Sequence, residues 1–189
     1  MTIKCLCLFL VTLTIGSLNG LNIHFDTTGI DNYPNFSSEQ KRWIKEVIIP
    51  PVKAWFSENI EIRKPMPSNL TVLPKEWNPS NRCNSVTRPE QLFGSTSKIN
   101  ADFYLILRGG DLQDLNAESR FCAVDSTNRF GLANRSLVGY TTLKPAFFIA
   151  PSKNALLHKE QYYSRQILTL IHEISHNLVW NSGLVDTFI

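Results

Sequence analysis

Apolar residues recur at helical spacing in two long segments of the chain. The first segment opens with Ser37 and Gln40, whose spacing fits a capping box at the start of a helix. Pro50 and Pro51 follow the apolar stripe and are expected to break or kink this helix, which residues 54–56 continue. The apolar stripe consists of Trp43, Ile44, Val47 and Ile48.

The second segment predicts a helix over about residues 160–180. Its apolar positions follow mixed spacings of three and four, which is typical of a largely buried helix. These positions are Tyr163, Ile167, Leu168, Leu170, Ile171, Ile174, Leu178 and Val179.

Several shorter stretches predict strands. Residues 21–26 alternate between apolar and polar side chains, whereas residues 101–107 form the continuous apolar run of a central strand. Residues 137–143 and 146–150 are two further strand candidates. Residues 60–62 and 71–73 predict short strands, and loops are expected over residues 74–100 and around Cys122. The order strand, helix, strands, helix predicts one α/β or α+β domain.

Composition and charge narrow the class of protein. The 189 residues are 43% hydrophobic and 19% charged, as in an ordinary globular domain. The net charge of +3 is spread without a run of lysines and arginines. Nothing therefore indicates a nucleic-acid partner.

The first twenty residues have the layout of a secretory signal peptide. Lys4 precedes a short apolar stretch, and small or polar residues follow up to Gly20, so cleavage is expected between Ser17 and Leu21. Removal of the signal peptide leaves Cys83 and Cys122 as the only cysteines, and in an oxidising compartment they are expected to form a disulfide. The predicted location is secreted or on the extracellular cell surface.

The sequence His172-Glu173-Ile174-Ser175-His176 places the pattern His-Glu-x-x-His within the second predicted helix. Helical residues four apart lie above one another, so both imidazoles can bind one metal ion while the carboxylate faces the open coordination position. Neutral imidazoles suit Zn²⁺, which lowers the pKa of bound water towards neutrality. The motif predicts His172 and His176 as zinc ligands and Glu173 as the general base of a peptidase. The alternative is a buried helix whose histidines hydrogen-bond within the core.

Other segments, taken with this motif, resemble the leishmanolysin family of zinc metallopeptidases in the metzincin group. Residues 101–107 resemble the family's Ala-Asp strand, and residues 122–125 are similar to its Cys-x-x-Asp segment. Residues 135–140, with Pro145 beyond them, resemble the Arg-Pro-x-x-Gly stretch before the active helix. The resemblance covers residues 21–189.

The resemblance implies an α+β fold of metzincin type. In the N-terminal subdomain, a twisted mixed sheet packs on two long helices, and the second helix carries the zinc motif. Residues 137–143 would then be the edge strand beside the cleft, where Gly139 and Tyr140 pair with an extended peptide or protein substrate.

The sequence departs from the family pattern at several positions. Val179 stands in place of a glycine, and Ser136 in place of a proline. The family's third histidine and methionine turn lie far downstream, beyond Ile189, so we expect the chain to be the N-terminal part of a peptidase. Among the remaining residues, Ser182 is a poor zinc ligand and Asp186 is the only carboxylate after the motif. His24 and His158 are more typical of surface or core positions.

Two functional hypotheses follow. The first is a zinc-dependent metalloendopeptidase that hydrolyses peptide bonds with metal-activated water. The second is a catalytically inactive secreted relative that acts in binding or adhesion. Association with a membrane or the cell surface is compatible with either hypothesis.

Overall fold

A computed structural model describes most of the chain. The described residues are 20–62, 66, 69–77, 83, 86–94, 97–129, 135–150 and 159–178, and the side chains of 159–162 are not included. The predicted signal peptide lies outside this part except for Gly20, and so do His158, Val179, Ser182 and Asp186. None of the described helices is both long and apolar enough to cross a membrane.

Four strands form one mixed sheet in the order β1-β2-β4-β3. Strands β1 (Ile23–Thr27), β2 (Phe103–Gly109) and β4 (Ser136–Leu143) run parallel to one another, and β3 (Ala117–Val124) runs antiparallel to β4. The predicted central strand is confirmed as β2. Together with the helices, the sheet confirms the predicted α+β class.

The helices follow the predicted periodicity. A short helix α1 (Thr28–Asp31) follows β1, α2 (Ser38–Trp43) begins after Ser37, and α4 (Lys159–Leu178) carries the motif. The Ser37 side chain accepts a hydrogen bond from the backbone N–H of Gln40 at 3.2 Å, and the Gln40 side chain accepts one from the N–H of Ser37 at 2.9 Å. The predicted capping box is confirmed.

The two prolines leave the first long helix continuous. Helix α2 passes through a π-helical segment (Ile44–Ile48) into α3 (Ile49–Asn59), in which Pro50 and Pro51 occupy the first turn. Proline lacks an N–H and its ring clashes with the carbonyl one turn earlier, and a wider turn accommodates both effects. The predicted break or kink is therefore a local π-helical distortion.

The core has two parts, one on each face of the sheet. On one face, α2, α3 and α4 cover apolar side chains of β1 and β2, including Phe103 and Leu105. On the other face, segments from residues 70–93 cover Tyr104, Ile106 and Tyr140, with Cys83 and Cys122 among them. The sheet is therefore covered on both faces, and its partner-free positions lie at its edges.

The predictions of a loop around Cys122 and of an edge position for the strand at residues 137–143 are wrong. Cys122 lies within β3 rather than in a loop. Residues 137–143 form β4, which pairs with β2 on one side and β3 on the other, so Gly139 and Tyr140 are on an interior strand. The edge strand next to them is β3.

Three short predicted strands are absent. Residues 146–150 are turn and irregular backbone after β4, residues 71–73 are irregular, and residues 60–62 contain only a single bridge from Glu61 to Gly20. In residues 146–150 the backbone turns, because the N–H groups of Phe147 and Phe148 both donate to the carbonyl of Lys144.

Candidate metal centre

Helix α4 packs against β3 and β4 and exposes one face near the sheet edge. Leu170, Ile174 and Leu178 are buried, whereas Leu168 and His172 are exposed. The apolar spacing that predicted this helix therefore also determines which way the motif faces. The alternative in which the histidines are buried core residues is wrong, because the His172 ring is at the surface.

The two histidine rings converge. Nε2 of His172 lies 3.0 Å from Nε2 of His176, and the ring centroids are 4.6 Å apart with the planes nearly perpendicular. One ligand atom from each of His172, Glu173 and His176 falls within 4.8 Å of the others. The structure thus brings together all three residues that the motif predicts.

The donor set fits zinc. Two imidazole nitrogens bound to one tetrahedral Zn²⁺ at about 2.0–2.1 Å would lie about 3.3 Å apart, close to the 3.0 Å observed. Among the described residues, the potential ligands grouped here are His172, Glu173 and His176, so a third ligand in addition to the histidines has to come from elsewhere. His24 does not join this group, because its ring stacks on Tyr104 at 4.8 Å.

Glu173 connects the motif to the edge strand. Burial raises the pKa of its carboxyl group, and the neighbouring Glu118 raises it further. The charge of His172 and a hydrogen bond from the backbone N–H of Ser119 act in the opposite direction, but the pKa remains above its ordinary value. A raised pKa suits a carboxyl group that must both take up and release a proton.

His176 is held in the form that binds metal. Burial lowers the pKa of its imidazole, and the proximity of His172 lowers it further. The neutral ring, which has a free nitrogen lone pair, is therefore favoured at neutral pH.

Gly139 allows α4 to approach β4 closely at the residue after His176. A Cβ atom at Gly139 would lie 2.5 Å from Oδ1 of Asn177 and 2.9 Å from Cζ of Phe103. The Asn177 amide donates to the carbonyl of Tyr140 at 3.4 Å, and its buried Oδ1 has no hydrogen-bond partner among the described residues. Gly139 and Tyr140 therefore position the motif helix, which is a different role from the predicted substrate strand.

The predicted disulfide is confirmed. Cys83 and Cys122 are joined with a Cα–Cα distance of 5.7 Å, across a sequence separation of 39 residues. The bond ties the loop region to β3. Strand β3 was not predicted, although the charged Glu118 and Arg120 alternate with the small or apolar Ala117, Ser119 and Phe121, which is a signal for a strand with one polar face.

No family model matches the sequence, and no curated protein matches it. The relation to leishmanolysin-like peptidases therefore remains a prediction from the residues.

Proposed function

We propose that the protein is a zinc-dependent metalloendopeptidase of leishmanolysin type, built on the N-terminal subdomain of a metzincin-like fold. The observation that carries the proposal is the convergence of His172 and His176, with Nε2 atoms 3.0 Å apart, next to a carboxyl group that contacts the edge strand. If the motif occurred by chance in a buried helix, nothing would require the two imidazoles to converge beside a carboxyl group that contacts the edge strand.

The residues divide the chemistry between them. His172 and His176 hold the metal, together with a third ligand from outside the described residues. Bound zinc would acidify a water molecule and polarise the peptide carbonyl. Glu173 accepts the proton of the attacking water and delivers it to the leaving amine, and its raised pKa favours the second transfer.

An extended substrate would bind along β3. Among the described residues, β3 has a complete strand neighbour on one side only, namely β4. The hydrogen bond from the Ser119 N–H to the Glu173 carboxyl group supports a general base at this edge. Pairing of a peptide with β3 would therefore bring its backbone next to the reacting groups, as in β-strand addition.

The disulfide supports an extracellular location. Disulfides persist in oxidising compartments and are rare in the cytosol. The Cys83–Cys122 bond is thus consistent with a secreted or cell-surface protein whose signal peptide is residues 1–20.

Hydrolysis of an unfolded protein substrate tests the proposal. We expect the native protein, as recovered from the secretory pathway, to bind zinc and to cleave casein, and we expect a chelator to abolish cleavage. Glu173→Gln should lower kcat by at least about 100-fold while zinc remains bound. His172→Ala should lose the zinc. Glu58→Gln, which changes an exposed helical glutamate, is the matched control and should leave both properties unchanged.

Cleavage that persists in Glu173→Gln would show that the activity belongs to a contaminant. Zinc binding without any cleavage would favour the inactive secreted relative that acts in binding or adhesion.

A further inference from the structure

Among the described residues, the outer edge of β3 has a partner along only part of its length. Ala123 pairs with Val138 of β4 and also forms an antiparallel bridge with Trp77. A strand residue has one neighbour on each edge, and β4 occupies the inner edge. Trp77 therefore occupies the outer edge at Ala123.

The segment that covers this position is fixed covalently. The disulfide joins Cys83 to Cys122, the residue directly before Ala123, and Sγ of Cys83 lies 3.4 Å from the carbonyl oxygen of Phe121. The Trp77 ring packs edge-to-face on Phe93, with 6.0 Å between centroids. We call Trp77, Cys83 and Cys122 the clamp.

The clamp lies close to the reacting groups. Glu173 accepts a hydrogen bond from Ser119, and three residues of β3 separate Ser119 from Ala123. Because β3 bulges at Cys122, Ser119 and Ala123 pair with Thr141 and Val138 of β4, which are three residues apart. At about 3.4 Å per residue, the bridge is about 10 Å along the strand from the general base. In the other direction, residues 117–121 of β3 pair only with β4 among the described residues.

We propose that the clamp limits how much of a substrate can pair with β3 on the amino-terminal side of the scissile bond. This inference rests on the proposed peptidase function. Antiparallel pairing is the more stable arrangement, and an antiparallel peptide places its amino-terminal side towards Ala123. About two substrate residues fit between Glu173 and Trp77, and residues further towards the amino terminus must leave the sheet edge.

On the carboxyl-terminal side of the substrate, no described residue outside β4 pairs with β3. This side of the substrate runs past Ser119 towards Ala117, where the nearby Leu115 is exposed. Substrate residues close to the scissile bond should therefore contribute binding energy on both sides. Substrate residues further away should contribute only on the carboxyl-terminal side.

Two nested series of peptides with one scissile bond test this limit on the zinc-loaded native protein. Each added residue that pairs should raise kcat/KM by about 1.5- to 5-fold. On the amino-terminal side, we expect this gain to stop after about two residues. On the carboxyl-terminal side, we expect it to continue. In the Cys83→Ser/Cys122→Ser variant, amino-terminal extension beyond about two residues should again raise kcat/KM. A continued amino-terminal gain in the native protein would overturn the inference.

Amide hydrogen exchange provides a readout that does not depend on hydrolysis or on folding of the cysteine variant. The longest peptide, added to zinc-loaded Glu173→Gln protein, should slow exchange within residues 117–121 and leave Ala123 and Val124 unchanged. This pattern without hydrolysis by the native protein would uphold the clamp and refute the peptidase. If the native protein hydrolyses the peptides and kcat/KM keeps rising with amino-terminal length, the peptidase is upheld and the clamp is refuted. If the protein shows no hydrolysis and no slowed exchange, both the peptidase and the clamp are refuted.

Discussion

Gly139 and Asn177 form the closest contact between the motif helix and the sheet. Gly139→Ala would place a Cβ atom 2.5 Å from Oδ1 of Asn177, so α4 or β4 must shift. We expect a loss of about 1–3 kcal/mol in the free energy of unfolding, measured by urea denaturation. The same substitution in an Asn177→Ala background should cost less, because the clashing atom is gone. Equal losses in both backgrounds would contradict this account.

Asp26 predicts a pH dependence of stability. Burial alone would raise the pKa of its carboxyl group, but hydrogen bonds from Thr28 and from the Tyr104 hydroxyl, at 2.7 Å, lower it below the ordinary 3.8. The lowered pKa means that the charged form stabilises the fold above the unfolded pKa, and that this contribution is lost as the pH falls through the folded pKa.

We therefore expect Asp26→Asn to lower the free energy of unfolding by about 1 kcal/mol at pH 7 and by less in strong acid. Urea denaturation at the two pH values measures the difference. Asp114→Asn, at an exposed position, is the control and should show little effect at either pH. A loss for Asp26→Asn that grows in acid would contradict the sign of the shift.

The start of α2 depends on one short polar pair. Ser37→Ala removes the acceptor for the N–H of Gln40 and should lower the free energy of unfolding by about 1 kcal/mol. Ser38→Ala, one residue further into the helix, is the matched control and should be nearly neutral. Thermal or urea unfolding of protein made without glycans compares the two variants. Similar effects from both would show that the cap contributes nothing.

Elements with strong local patterns could be predicted from the sequence. The motif helix, the capped helix and β2 each have apolar spacing or end signals that identify them. Strand β3 was missed because Glu118 and Arg120 face solvent and interrupt its apolar run. The burial of every residue of β4 is typical of an interior strand, but strand order depends on pairing between residues far apart in the sequence, which local patterns do not encode.

The candidate site, too, could be predicted from the sequence only in part. The spacing of His172, Glu173 and His176 determines their convergence, because one helical turn brings them together. The contact from Glu173 to Ser119 joins residues that are far apart in sequence, so local patterns hold no information about it.

At the scale of the whole molecule, the disulfide is expected to contribute substantially to stability. Replacing both Cys83 and Cys122 by serine removes the covalent link between two residues that are 39 positions apart in the sequence. This change should lower the free energy of unfolding by about 2–4 kcal/mol, measured by guanidinium denaturation. Reductant should destabilise the native protein by a similar amount and leave the double variant unaffected. An unchanged free energy of unfolding of the native protein after complete reduction of the disulfide would contradict this expectation.

The pairing of β1 with β2 has a consequence for synthesis of the chain. Ile23 pairs with Phe103, which the ribosome adds 80 residues later. At about 5–20 residues per second, the first strand waits roughly 4–16 s before its partner exists. During this interval its backbone donors and acceptors are open to any other nascent strand. We therefore expect chaperone binding to be most important while the segment between these two strands is being translated.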